Sequence, residues 1–257
     1  MTQVAAYVAL TFLLSWTFWG AAILSGSEAA ICRIAGAFGP TMAALILAGI
    51  GGREDLRRLL AGFRRWRAPF GLWFFSVLST AVLGIVALCV DDFLGGTPDW
   101  PEPQALALAP VVFLWVLVFS VAGEETGWRG YLMPRLLTRT GPVRASLVLG
   151  VVWAVWHLPL WGLPGDFHAA IPIWLFVAQI LAVSIIYTWL WLASSGSLVI
   201  VHVFHAASNA TLSLLPLVPG EGAETLRPLW IAVGLLCLIA LVAAVRLASG
   251  IRQQARH

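Results

Sequence analysis

The chain has no lysine, and charge of either sign is sparse: charged residues fill 11% of its 257 positions, where an average soluble domain carries roughly 25%. Hydrophobic residues make up 60% and the mean hydropathy is +0.91. So few charges cannot cover a water-facing surface, which excludes a soluble globular domain and points to an integral membrane protein. Cysteine is scarce as well. Cys32, Cys89 and Cys237 lie in or beside apolar stretches with no metal-type spacing, so they read as small buried hydrophobes rather than metal ligands. No internal repeat, low-complexity segment or soluble stretch of domain length is visible, so residues 1–257 read as a single integral-membrane domain.

What the chain does have is apolar runs near the roughly 20 residues needed to cross a bilayer. They are about Val4 to Leu24, Ile34 to Ile50, Pro69 to Val90, Leu106 to Ala122 (running on through a charged motif), Ala145 to Leu163, Ile171 to Ala193, Leu198 to Leu217 and Pro228 to Val245. Spans in hydrocarbon must satisfy their own backbone hydrogen bonds, so the expected fold is all-α, a polytopic membrane helix bundle of about eight transmembrane helices. The leader Met1-Thr2-Gln3 has no positive charge and a second span follows at once, so the first run reads as a retained helix, not a signal peptide.

All 15 basic residues are arginine. Arg53, Arg57, Arg58, Arg64, Arg65, Arg67, Arg135, Arg139, Arg144, Arg246, Arg252 and Arg256 lie in alternate connections or the tail. The opposite connections carry Glu28, Asp91, Asp92, Asp99, Glu102, Asp166, Glu221 and Glu224, with Arg33 and Arg227 as their positive charges. The positive-inside rule then places both termini in the cytoplasm of a multi-pass protein of the cell membrane. The pI of 9.1 reports topology and does not suggest a nucleic-acid partner; the lipid bilayer is the partner it implies. Gly52 to Pro69 reads as a topogenic basic loop, or as an amphipathic segment with Leu56, Leu59, Leu60, Phe63 and Trp66 in the interface.

With the topogenic charges set aside, the ionisable residues at membrane depth are Glu124, Glu125, Arg129, His157, His202 and His205, with Asn209 beside them. Such groups are costly in hydrocarbon and point to function. Glu125 and Arg129 are four apart and share a helix face, while Glu124 points about 100° away. Trp153 and His157 are again four apart, and His202, His205 and Asn209 form a stripe spaced three and four. At about 1.5 Å per residue, Glu124 and His157 lie roughly 18 Å and His205 roughly 12 Å in from the same membrane side. Three helices thus bring their polar groups to one level. His168, in an external loop, and His257, at the chain end, read as solvated.

The stretch Gly123-Glu124-Glu125-Thr126-Gly127-Trp128-Arg129, then Trp153-x-x-x-His157 and His205-x-x-x-Asn209 in that order, resembles the CPBP family of intramembrane proteases (CAAX proteases and bacteriocin-processing enzymes, also called Abi). The resemblance covers about residues 106–217, with Trp153 where the family usually has Phe, and His202 outside the family pattern. It implies an endopeptidase acting on a peptide or protein substrate at the membrane, through a cavity open to the cytoplasm. Glu124 would be the general base with His157 sharing the water, Glu125 and Arg129 a supporting ion pair, and His205 and Asn209 the oxyanion donors. No metal is required; the alternative is a zinc held by Glu124, His157 and His205, although no His-Glu-x-x-His motif is present. Two other classes use the same groups: a proton-coupled transporter with a Glu, Arg and His relay, and a catalytically silent membrane binding protein.

Overall fold

The computed structural model describes residues 2–26, 30–218 and 225–254. Glu28, Glu221, Glu224, Arg256 and His257 lie outside the described residues, as does the side chain of Arg252. The fold is an all-α membrane helix bundle. In chain order it comprises α1 (Thr2–Ser25), α2 (Ala30–Ala37), α3 (Gly39–Ile50), α4 (Arg53–Leu60), α5 (Phe70–Phe93), α6 (Pro103–Ala107), α7 (Ala109–Phe119), a π-helix (Thr126–Leu132), α8 (Met133–Leu137), α9 (Pro142–Trp156), α10 (Ile173–Ala193), α11 (Leu198–Leu214) and α12 (Arg227–Gln254).

The eight expected segments are helical, but they are not eight straight rods. Among the described residues five helices are long and apolar enough to cross a membrane, or up to seven if each of two bent pairs is one span; α11 is a shorter apolar helix of 17 residues. The second span bends by 51° between residues 31–37 and Gly39–Ile50. Pro40 explains this break, because it has no N–H to give and its ring cannot follow a continuous helix. The fourth bends by 42° between Ala109–Gly123 and Thr126–Leu137, so the helix expected to run straight through the glutamates is interrupted at them.

The two breaks nest against each other, and glycine makes this possible. A Cβ on Gly123 would meet the Ala37 carbonyl oxygen and Phe38 Cα, and one on Gly127 would meet the Pro40 carbonyl and the Tyr7 hydroxyl. Close backbone approach of this kind is how membrane helices lock together without a hydrophobic driving force. A carbonyl freed at the break finds a donor across the contact: Thr41 Oγ1 donates to Ala122 O at 2.9 Å. The Glu124-Glu125 pair therefore sits at the junction between a 3-10 turn (Val121–Gly123) and the π-helix, braced by the neighbouring kink.

Elsewhere sequence and packing agree in kind. Pro142 opens α9 at a first-turn position where its missing N–H costs nothing. Ser197 caps α11 by accepting from Ile200 N–H at 3.2 Å. Leu59 on α4 is buried, whereas Leu60, Phe63 and Trp66 are exposed as an interfacial segment requires. Cys89 and Cys237, expected to be buried, are exposed on the bundle exterior, where a small apolar residue faces lipid at no penalty. Both arginines of the acidic end are neutralised: Arg227 donates to Asp91, and Arg33 bonds the Pro164 carbonyl and lies 3.8 Å from Asp166.

Candidate active site

Glu124, Glu125 and Arg129 are all buried, at 4%, 0% and 0% exposure, which demands internal partners. Glu125 Oε1 has two: Arg129 Nη1 donates to it at 2.8 Å and His205 Nδ1 at 2.8 Å. The arginine–glutamate pair expected from the spacing is thus present, and a helix nearly eighty residues further along the chain completes it. The Arg129 guanidinium is held by ring faces, with Trp153 at 4.6 Å and Tyr187 at 4.0 Å from its carbon. Those π faces stand in for water over a cation that keeps Nε and Nη2 without hydrogen-bond partners.

Glu124 points away from this triplet. Its Oε2 accepts from Trp153 Nε1 at 2.8 Å. It lines a cavity of about 250 Å³ together with Trp153, His157, Tyr187, His205 and Asn209. The residues set apart in the sequence on three segments therefore line one cavity. His157 Nδ1 lies 2.7 Å from Trp153 O. A carbonyl only accepts, so Nδ1 carries the proton and Nε2 is left with its lone pair.

His202 lies elsewhere. Its Nδ1 bonds Leu198 O at 2.7 Å and its ring packs on Phe63 at 5.3 Å, and it is not among the residues lining the cavity. His168 differs from its sequence reading in the other direction. Expected to be solvated, it is only 6% exposed, lines the cavity and stacks 5.7 Å from the His157 ring. Its Nδ1 bonds Asp166 Oδ1 at 2.6 Å. Burial pushes the Asp166 carboxyl up, but the bonds and charge of His168, with Arg33 beyond, outweigh it and hold the group below the usual carboxylate range. Asp166 and His168, two apart in a loop with Phe167 between them, were the available sign of this contact. Tyr187 gave none, since one tyrosine in an apolar helix carries no spacing signal.

The cavity runs from the Glu124 level toward Arg33, Leu163, Asp166 and Phe167, of which Phe167 is 51% exposed. Those residues belong to the connections opposite the arginine-rich ones. The expected cytoplasmic opening and the expected cytoplasmic termini therefore conflict, because the wall of the cavity is built at the other end of the bundle. Among the described residues no three His, Cys, Asp or Glu side chains gather as a metal site. Glu124, His157 and His205 share a cavity without converging on one point.

Residues 106–211 match the family model described as type II CAAX prenyl endopeptidase Rce1-like. A relative named CAAX prenyl protease 2, from Methanococcus maripaludis, is 35% identical over 112 residues. That match spans 41% of this chain and 41% of the relative, so the chain spans well under half of that protein's length in the aligned region. Over the motif-bearing core the resemblance to the CPBP family is borne out, and the matched segment contains Glu124, His157, His205 and Asn209.

Proposed function

We propose that this protein is an intramembrane endopeptidase in which Glu124 activates the attacking water. The observation that carries the reading is the shared cavity: a carboxylate, two imidazoles and a carboxamide from three helices line one pocket inside an apolar bundle. Glu124 Oε2 is committed to the Trp153 indole, which leaves Oε1 to accept a proton from water. The Nε2 lone pair of His157 is the second acceptor that can orient that water.

Water adds across the scissile C–N bond. Its oxygen bonds the carbonyl carbon, its proton passes to Glu124, and the protonated Glu124 returns it to the departing amine nitrogen as the C–N bond breaks. Charge on the carbonyl oxygen meets the Asn209 carboxamide and His205. His205 is held beside that oxygen by its Nδ1, which bonds Glu125 Oε1 at 2.8 Å. Arg129 balances Glu125, so the triplet holds His205 in place without adding net negative charge beside Glu124. The proposed chemistry is written with Glu124 and water alone; among the described residues Glu124, His157 and His205 do not gather as a metal site.

The substrate class is a peptide or protein at the membrane, approaching from the end of the bundle that carries Asp166 and Phe167. The test is purification in detergent followed by a peptide-cleavage screen, including prenylated C-terminal peptides, and metal analysis. Glu124→Gln and His157→Ala should abolish cleavage while leaving the unfolding midpoint within a few degrees. Cleavage by Glu124→Gln at the wild-type rate would overturn the proposal, and stoichiometric zinc lost with Glu124→Gln would overturn its metal-free form.

A further inference from the structure

At the opposite end of the bundle lies a second cavity, of about 660 Å³, that has no part in the chemistry above. It is bounded by the start of α1, α4, the π-helix and α8, and the turn between α10 and α11. Four arginines line it, Arg58, Arg65, Arg135 and Arg139, with Asp55 as the one carboxylate. That carboxylate is already engaged, since Arg58 lies 3.9 Å from Asp55 and 3.1 Å from Glu54. Arg65 donates to the Ser195 carbonyl at 2.8 Å, and Arg135 donates to Gln3 Oε1 at 3.2 Å and to Tyr131 O at 2.9 Å while lying over the Tyr131 ring. Among the described residues no carboxylate pairs with Arg65, Arg135 or Arg139.

Trp191 lines the same cavity, and its indole nitrogen is a buried donor with no acceptor. Three guanidinium groups lining one cavity with no carboxylate partner among the described residues call for an acceptor-rich anion. The wall is also kept open for it: Gly196, at φ +84, would bring a Cβ onto Arg65 and Trp191. The cavity is lined by the starts of α1 and α11 and the end of α10, three apolar helices, through Gln3, Leu198 and Trp191.

We infer that this cavity binds the phosphate of an anionic lipid headgroup, cradled by Arg65, Arg135 and Arg139. Guanidinium forks match phosphate oxygens two at a time, and basic pockets between spans on the arginine-rich side are suited to such headgroups. The volume lies within the range of built small-molecule sites, about 300–1,000 Å³. The inference is independent of the cleavage reading.

The test uses the full-length protein, delipidated in neutral detergent, with native mass spectrometry and unfolding midpoints read against added phosphatidylglycerol, phosphatidylcholine and inorganic phosphate. Wild type should retain phosphatidylglycerol saturably and gain stability from it, with phosphatidylcholine inert. Arg139→Gln, exposed and without a hydrogen-bonding partner, should fold and bind roughly tenfold more weakly, and Arg65→Gln should behave alike. Arg144→Gln, an equal charge change at the same end but outside the cavity, should bind as wild type does. Equal loss in Arg144→Gln would reduce the effect to diffuse attraction and overturn the site. A response to inorganic phosphate without one to the lipid would overturn the lipid assignment.

Discussion

Replacing Arg129 by leucine should be among the most damaging single changes to stability in the chain. The substitution removes a fully buried cation whose Nη1 lies 2.8 Å from Glu125 Oε1. At that distance and an effective dielectric constant of about 20, the Coulomb energy is on the order of 6 kcal/mol. Desolvation offsets much of it, but the single mutant does not recover that offset, because Glu125 stays buried with only the His205 bond left to it. Breaking a buried pair from one side costs about 3–5 kcal/mol, and losing the contacts with Trp153 and Tyr187 adds up to about 2 kcal/mol. Glu125→Gln should be similarly costly, since it strands the guanidinium. The double variant, carrying both changes, should be markedly less destabilised than the sum of the two, by about 2 kcal/mol or more. Reversible unfolding in mixed micelles, followed by tryptophan fluorescence across this four-member cycle, measures the coupling. If Arg129→Leu costs less than about 1 kcal/mol, or if the two changes simply add, the triplet is not what holds the bent glutamate segment.

Further expectations follow from the same geometry. Trp153→Phe removes the indole N–H from Glu124 and should slow cleavage by roughly tenfold or more with little loss of fold; comparing kcat with the unfolding midpoint separates the two. Gly127→Ala should destabilise by about 1–3 kcal/mol or more, because its methyl meets the Pro40 carbonyl, and yield of monodisperse protein in detergent reports this. Asp166 is held below its ordinary range, so its contribution is present at neutral pH and is lost as pH falls below about 4, through the lowered folded value. Asp166→Asn should therefore be less stable than wild type at pH 7, by about 1 kcal/mol, and the gap should close in acid; a gap that persists at pH 2 would refute the assignment. In a background without the three cysteines, Thr138→Cys and Phe167→Cys should label from opposite faces with an impermeant thiol reagent, the second from outside in intact cells. Labelling of Phe167→Cys only after permeabilisation would reverse the orientation derived from arginine.

The sequence alone decided the class of molecule, because a shortage of charge over long apolar runs admits only helices that satisfy their own backbone. It decided the residue types of the site for the same reason: Glu124, Glu125, Arg129, His157 and His205 stand out where every neighbour is apolar. Spacing also settled the local pair, since Glu125 and Arg129 four apart must share a face whatever surrounds them. It could not place the break at the glutamates. That kink depends on Gly123 and Gly127 fitting against the backbone near Pro40, and a contact between distant segments leaves no periodic trace. Nor could it divide the histidines. His202 and His205 look equivalent in a stripe, yet only His205 meets Glu125, and His168 enters from a loop that looked solvated. Which imidazole faces the cavity, and toward which end of the bundle that cavity leads, is set by how helices rotate and bend on packing, a property of the assembled bundle and not of any one span.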